Sequence, residues 1–227
     1  MYNFFLETKK PNVDIMASKE AAFQTRRYGW NGNLEISVLS NFTDLVIYDT
    51  SVRPNENDKP SVAQVAHFHF TEYVDKFDEI SRLLSYETVV SGAFEKTFEN
   101  ISSSLKKEPF DKYFLSQIKE WRLVLSEDIV KNNSTINQET LNIFVQKLIN
   151  RIVFLRICED RELEKYESLK NIGTYAELKK VFTAADKKYD SGLFELIDGE
   201  QFEISDSILV DIFKELYYPN SCYEFSI

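Results

Sequence analysis

Near its N-terminus the chain reads Phe4-Phe5-Leu6-Glu7-Thr8-Lys9-Lys10, an apolar run that closes on a carboxylate and an ammonium two residues apart. In a strand, successive side chains alternate, so Glu7 and Lys9 share a face and Thr8 points the other way. A carboxylate so placed can hold a hard divalent cation through oxygen. The ammonium beside it can orient a water or steady charge on a phosphoryl oxygen. Ala21-Ala22-Phe23-Gln24-Thr25-Arg26-Arg27-Tyr28-Gly29-Trp30 follows at short range and has the small-residue spacing of a helix. It brings Gln24 and two arginines near the pair. Together these types are what metal-dependent cleavage of a phosphodiester needs. The Glu-x-Lys spacing alone is common at strand ends, so the surrounding pattern carries the reading.

The elements that must position these residues follow from periodicity. Residues 2–8 read as a buried strand and 17–29 as a helix that Asn31-Gly32-Asn33 ends. Residues 34–39 alternate as a half-buried strand, and 45–48 and 65–70 as further strands. Arg53 to Ser61 is a polar loop. After Tyr73 the texture becomes helical, starting with Phe77, Ile80, Leu83 and Leu84. Helices are expected at about 87–104, 109–131, 138–162, 174–188 and 206–217. The clearest stripe is Leu141, Phe144, Val145, Leu148, Ile149, Ile152 and Leu155, with Asn137 as its N-cap. The fold class is therefore an α/β N-terminal part with a small mixed sheet, residues 1–74, followed by an all-α domain over 75–227.

Totals narrow the function. Hydrophobic content of 43% supports a true core. The net charge of −10 disfavours a general nucleic-acid coat. Residues 1–50 are nearly balanced, however, with five Lys/Arg against six Asp/Glu. Lys9, Lys10, Lys19, Arg26 and Arg27 crowd there and leave room for a local basic face. Two cysteines, Cys158 and Cys222, are too few and too distant for a disulfide framework or a zinc site. The absence of a signal peptide and of a long apolar run suits a cytoplasmic protein without membrane contact.

Other candidates read more plainly. His67 and His69 share a strand face and could share a metal with Glu72, but a structural or surface role is favoured. Tyr28 and Trp30 read as packing residues rather than base-stacking platforms. Glu159-Asp160-Arg161-Glu162 ends the long helix against its dipole. Arg151, Arg156 and Arg161 are expected to pair with it on a solvated or salt-bridged face.

The blocks at 4–11, 21–30 and 36–49 resemble the nuclease region of type IIG restriction-modification enzymes, single chains that join an endonuclease to an adenine-specific DNA methyltransferase. The likeness continues through Leu148-Ile149-Asn150-Arg151-Ile152-Val153-Phe154-Leu155-Arg156-Ile157-Cys158-Glu159-Asp160-Arg161, Ser191-Gly192-Leu193-Phe194 and the closing Tyr223-Glu224-Phe225-Ser226-Ile227. Those later segments look like the helical connector. The resemblance implies a PD-(D/E)xK nuclease: Glu7 as magnesium ligand, Lys9 positioning water, Gln24 supporting the site. Lys10, Lys19, Arg26 and Arg27 become candidate DNA phosphate contacts. The family's upstream Asp has no counterpart here, and no Asn-Pro-Pro-Tyr or Gly-rich S-adenosylmethionine loop is present. The expectation is thus a fragment, inactive by itself, that binds double-stranded DNA weakly. Its strand at 2–8 would leave an open sheet edge for a homodimer. The alternative is a non-catalytic helical interaction module with a vestigial sheet.

Overall fold

A computed structural model of the protein describes residues 4–90, 108–195, 202–218, 220–221 and 223–225. The chain divides into two compact units, 1–113 and 114–226.

The first unit is α/β. Strands β1 (Phe5–Thr8), β2 (Ile36–Ser40), β3 (Asp44–Asp49) and β4 (Gln64–His69) form one sheet in the order β1-β2-β3-β4. β1 runs parallel to β2, with Glu7 opposite Leu39, and the other pairs are antiparallel. The parallel pair needs a crossover, which helix α1 (Lys19–Asn31) supplies. Asp14 Oδ1 accepts from the amides of Met16 and Ala17, and Ser18 caps the helix by accepting from Ala21 N.

Strand alternation sorts the core into two layers. Leu39, Val46 and Tyr48 face one side and pack with Ile15, Ala21 and Ala22. Ile36, Val38, Ile47 and Phe68 face the other, where Leu83 of helix α2 (Phe77–Leu84) joins them. Because both faces are covered, β2 is buried at nearly every position. It is not the half-buried strand that its alternation predicts; Ser37 lies buried under α1 at Gly29, while Glu35 stays exposed ahead of the strand. Nor is β1 fully buried. It lies at the sheet edge in this chain, and Leu6 is 52% exposed.

A short helix α3 (Tyr86–Val90) follows α2. The rest of the helix expected over about 87–104 falls on 91–104, outside the described residues.

The second unit is helical. Helix α4 (Phe110–Asn132) begins in the first unit and, in the second, buries Trp121, Leu125 and Ile129. Helix α5 (Gln138–Asp160) buries every member of its predicted stripe, and Asn137 caps it by accepting from Thr140 N. Helix α6 (Tyr175–Tyr189) opens on a Thr174/Glu177 capping box, and helix α7 (Asp206–Glu215) adds Leu209, Ile212 and Phe213 to the core.

The charge run at the end of α5 differs from its expected form. Glu159 is buried and accepts from Ser168 Oγ at 2.6 Å, Tyr217 OH at 2.6 Å and the amide of Leu169 at 3.0 Å. Arg156 pairs with Asp160 and lies 4.0 Å from Glu159. Burial and the Glu159 bond both push the Tyr217 hydroxyl above its ordinary range. Arg151 does not turn to this run; it donates to the carbonyls of Leu193 and Glu195. The first half of the run, Glu159 and Asp160, is thus an internal network that includes the expected Arg156 ion pair, while Arg161 and Glu162 are exposed.

One contact in the first unit sets how closely α1 can lie on the sheet. A Cβ at Gly29 would stand 2.0 Å from Ser37 Oγ and 2.7 Å from Thr50 Cγ2. In a free helix, Gly→Ala gains about 1 kcal/mol. Here Gly29→Ala should instead lose about 1–3 kcal/mol through overpacking. Urea denaturation reads the sign, and a gain in stability would contradict the close approach.

Candidate active site

β1 carries Glu7 and Lys9 follows directly after it, both on the sheet side that α1 covers, where α1 supplies Gln24. The Lys9 ammonium donates to Glu7 Oε1 at 2.8 Å and to Gln24 Oε1 at 2.8 Å. Residues fifteen positions apart in sequence are thereby joined through one nitrogen. Both members of the ion pair are partly exposed, Lys9 at 25% and Glu7 at 19% of their side chains. An ammonium has three N–H donors. Two are directed at Glu7 and Gln24, which leaves one for solvent or an incoming oxygen. One turn beyond Gln24, the ring of Tyr28 packs on Phe5 at 5.0 Å, and the Arg27 guanidinium lies 5.3 Å from the Tyr28 ring centre. Phe5, Glu7 and Lys9 thus meet Gln24 and Tyr28 along one seam between strand and helix.

The remaining predicted residues separate by environment. Lys10 and Lys19 are exposed. Arg27 is half-buried beside Tyr28. Arg26 is 1% exposed, donates to Asp58 Oδ2 at 2.7 Å and reaches the carbonyl of Arg53 at 3.4 Å. It pins the 53–58 loop to α1. Below it, burial pushes the Tyr48 hydroxyl up to about 12, with Arg26 acting in the opposite direction. Trp30 is buried, donates to the carbonyl of Glu108 at 2.7 Å and packs against Phe110 and Tyr113.

The histidines each have their own neighbour. His67 Nε2 lies 2.7 Å from Asp44 Oδ1, and His69 Nδ1 lies 2.8 Å from Thr71 Oγ1. Glu72 accepts from the amide of His69 and pairs with Lys76. Sequence reasoning missed the Arg26–Asp58 pair, because a loop acid 32 residues away leaves no periodic signal. It also missed the pinning of the 193–195 turn by Arg151.

The described residues do not complete a magnesium site on their own. Glu7 is the one carboxylate of the constellation. Among the described residues no group of three or more His, Cys, Asp or Glu converges as a metal-binding cluster.

A strand-borne Glu–Lys pair joined to a helical Gln, with a helical unit following, is the order of parts that the likeness to restriction-modification enzymes leads one to expect. That likeness holds along the chain. It is 44% identical, over 229 aligned positions and 99% of its length, to the type II restriction enzyme and methyltransferase RM.Eco57I of Escherichia coli. The chain spans 23% of that protein's length. No family model and no solved structure matches the chain. Among the described residues no helix is long and apolar enough to cross a membrane.

The environments make the two kinds of cation separable by stability. Arg26→Ala should cost about 2–3 kcal/mol, less than a fully buried pair because Asp58 is partly solvated. Lys10→Ala and Lys19→Ala should stay within about 0.5 kcal/mol of the parent. Urea denaturation of the three variants tests this, and an Arg26→Ala protein as stable as Lys10→Ala would contradict the buried role.

Proposed function

We propose that this chain is the nuclease and connector portion of a type IIG restriction-modification enzyme of the PD-(D/E)xK type. The whole enzyme would hydrolyse DNA phosphodiesters with Mg²⁺ and methylate adenine from S-adenosylmethionine. The observation that carries the reading is the Lys9 ammonium bridging Glu7 and Gln24 on the sheet face under α1. Identity to a restriction enzyme and methyltransferase along 99% of the chain supports it. Glu7 would offer one carboxylate to the cation, and Lys9, fixed by Gln24, would present its remaining proton to a phosphoryl or water oxygen. Exposed Lys10 and Lys19 are the better placed phosphate contacts; Arg26 is committed to Asp58.

One carboxylate does not fix the octahedral shell that Mg²⁺ demands. The 227-residue chain alone should therefore leave plasmid DNA uncut in Mg²⁺, and efficient cleavage would refute this part. The reading is tested directly in a chimera in which this chain replaces the matching part of the Escherichia coli relative. Glu7→Ala and Lys9→Ala should each abolish cleavage and leave adenine methylation intact. Cleavage that persists in both variants would favour a non-catalytic interaction module.

A further inference from the structure

The helical unit carries a second surface that its sequence does not advertise. α4 and α5 border a groove of about 460 Å³ lined by Arg122, Asn142, Ile143, Gln146, Lys147 and Asn150. Among the described residues no carboxylate lines it, on a protein with 37 acidic residues. The hydrogen bonds within it have a fixed direction. Arg122 can only donate, so its 2.7 Å contact forces the oxygen of Gln146 toward it. That turns Gln146 Nε2 toward Asn150, whose oxygen accepts at 2.8 Å. Lys147 spends one proton on the carbonyl of Glu195 at 2.7 Å. Two of the groove's acceptor oxygens are thus consumed internally. What remains on offer includes the other N–H groups of Arg122, the Asn150 amide protons and those left on Lys147. With both charges positive and two amide oxygens taken up internally, the spare capacity is weighted toward donors, which suits an anion.

The shape selects among anions. Asn142, Gln146 and Asn150 recur every four residues, so they form one stripe about 12 Å long on α5. Lys119 lies one turn before Arg122 on α4 and extends the cationic edge. Glu139 lies one turn before Asn142 and marks its acidic limit. A groove so open and elongated suits a chain of charges. Duplex DNA presents one phosphate per about 1.7 Å of axis, so such a stripe faces several.

We infer that this groove is a backbone contact for double-stranded DNA, independent of sequence and separate from the Glu7–Lys9–Gln24 site. The inference rests on reading the chain as part of a DNA-processing enzyme. Phosphate contacts of this kind position a protein on the duplex and carry no base preference.

The test is fluorescence anisotropy of the full chain with two unrelated 20-base-pair duplexes, across a salt series. Arg122→Gln/Lys147→Gln should weaken binding about tenfold on both duplexes and flatten the salt slope by about 2. Arg122→Gln/Lys119→Gln, which keeps the Lys147–Glu195 bond, should give a similar loss if the first variant is poorly folded. The side-chain amide NMR signals of Gln146 and Asn150 should shift on titration with duplex. Lys10→Gln/Lys19→Gln reports on the N-terminal unit separately. Folded groove variants that bind as the parent does, while Lys10→Gln/Lys19→Gln loses binding, would overturn this inference and leave the wider reading standing. Failure of the parent chain to bind either duplex at low salt would overturn both. Amide signals that move with polyglutamate and not with duplex would assign the groove to an acidic peptide and overturn the inference.

Discussion

The closeness of α1 to the sheet is the constraint on which the candidate site depends. Gly29 and Ser37 meet without room for a methyl group. That approach seats the helix low enough for Gln24, five residues earlier, to reach the ammonium of Lys9 just after β1. Ala21 and Ala22, both about two turns before Gly29, keep the helix close to Leu39 and Val46. Lys9 then does two things at once. It neutralises Glu7 within the strand and ties the strand to the helix. The Glu–Lys pair is thus held before any ligand arrives, the preorganisation that stabilising developing charge requires.

The helical unit is organised by a different interaction. At the end of α5, buried Glu159 accepts from the 168–169 backbone and side chain and from Tyr217, while Arg156 pairs with Asp160 and donates to the carbonyl of Leu216. Arg156 also lies 4.7 Å from the Tyr217 ring centre. Removing one partner of such a network strands a buried charge, which is far more costly than never burying it. The same stretch of α5 thus fixes the segments after it, while its opposite face presents amides and cations to solvent. Core and network share the buried face of one helix, and 3.6-residue periodicity puts the groove residues on its other side.

How much of this was legible in the sequence depends on the range of the interaction. The α5 stripe from Leu141 to Leu155 and the Asn137 cap are local patterns, and both are found where periodicity puts them. Glu7, Lys9 and Gln24 were readable as types near one another, because the strand–turn–helix unit is short. Arg26 was misleading. Its neighbour Arg27 and the exposed Lys19 suggested a basic face, yet a single loop acid, Asp58, draws it inside. Glu159 and Asp160 misled in the same way: a run of charges reads as surface until Tyr217 and Ser168 arrive from distant sequence. The α4–α5 groove was not legible, because it depends on Arg122 of α4 coming beside the amide stripe of α5. Burial on both faces of β2 was hidden by Ser37, a polar residue that is small enough to lie beneath Gly29.

The central claim is that Lys9 is locked between Glu7 and Gln24 rather than free in solvent. Nitrogen-15 NMR of the lysine ammonium groups measures this directly. A Lys9 ammonium signal protected from exchange with water is expected, which Gln24→Ala broadens and Glu7→Gln shifts, while exposed Lys10 and Lys19 give no such signal. A Lys9 ammonium that exchanges as fast as Lys10 in the parent protein, and is indifferent to Gln24→Ala, would contradict it.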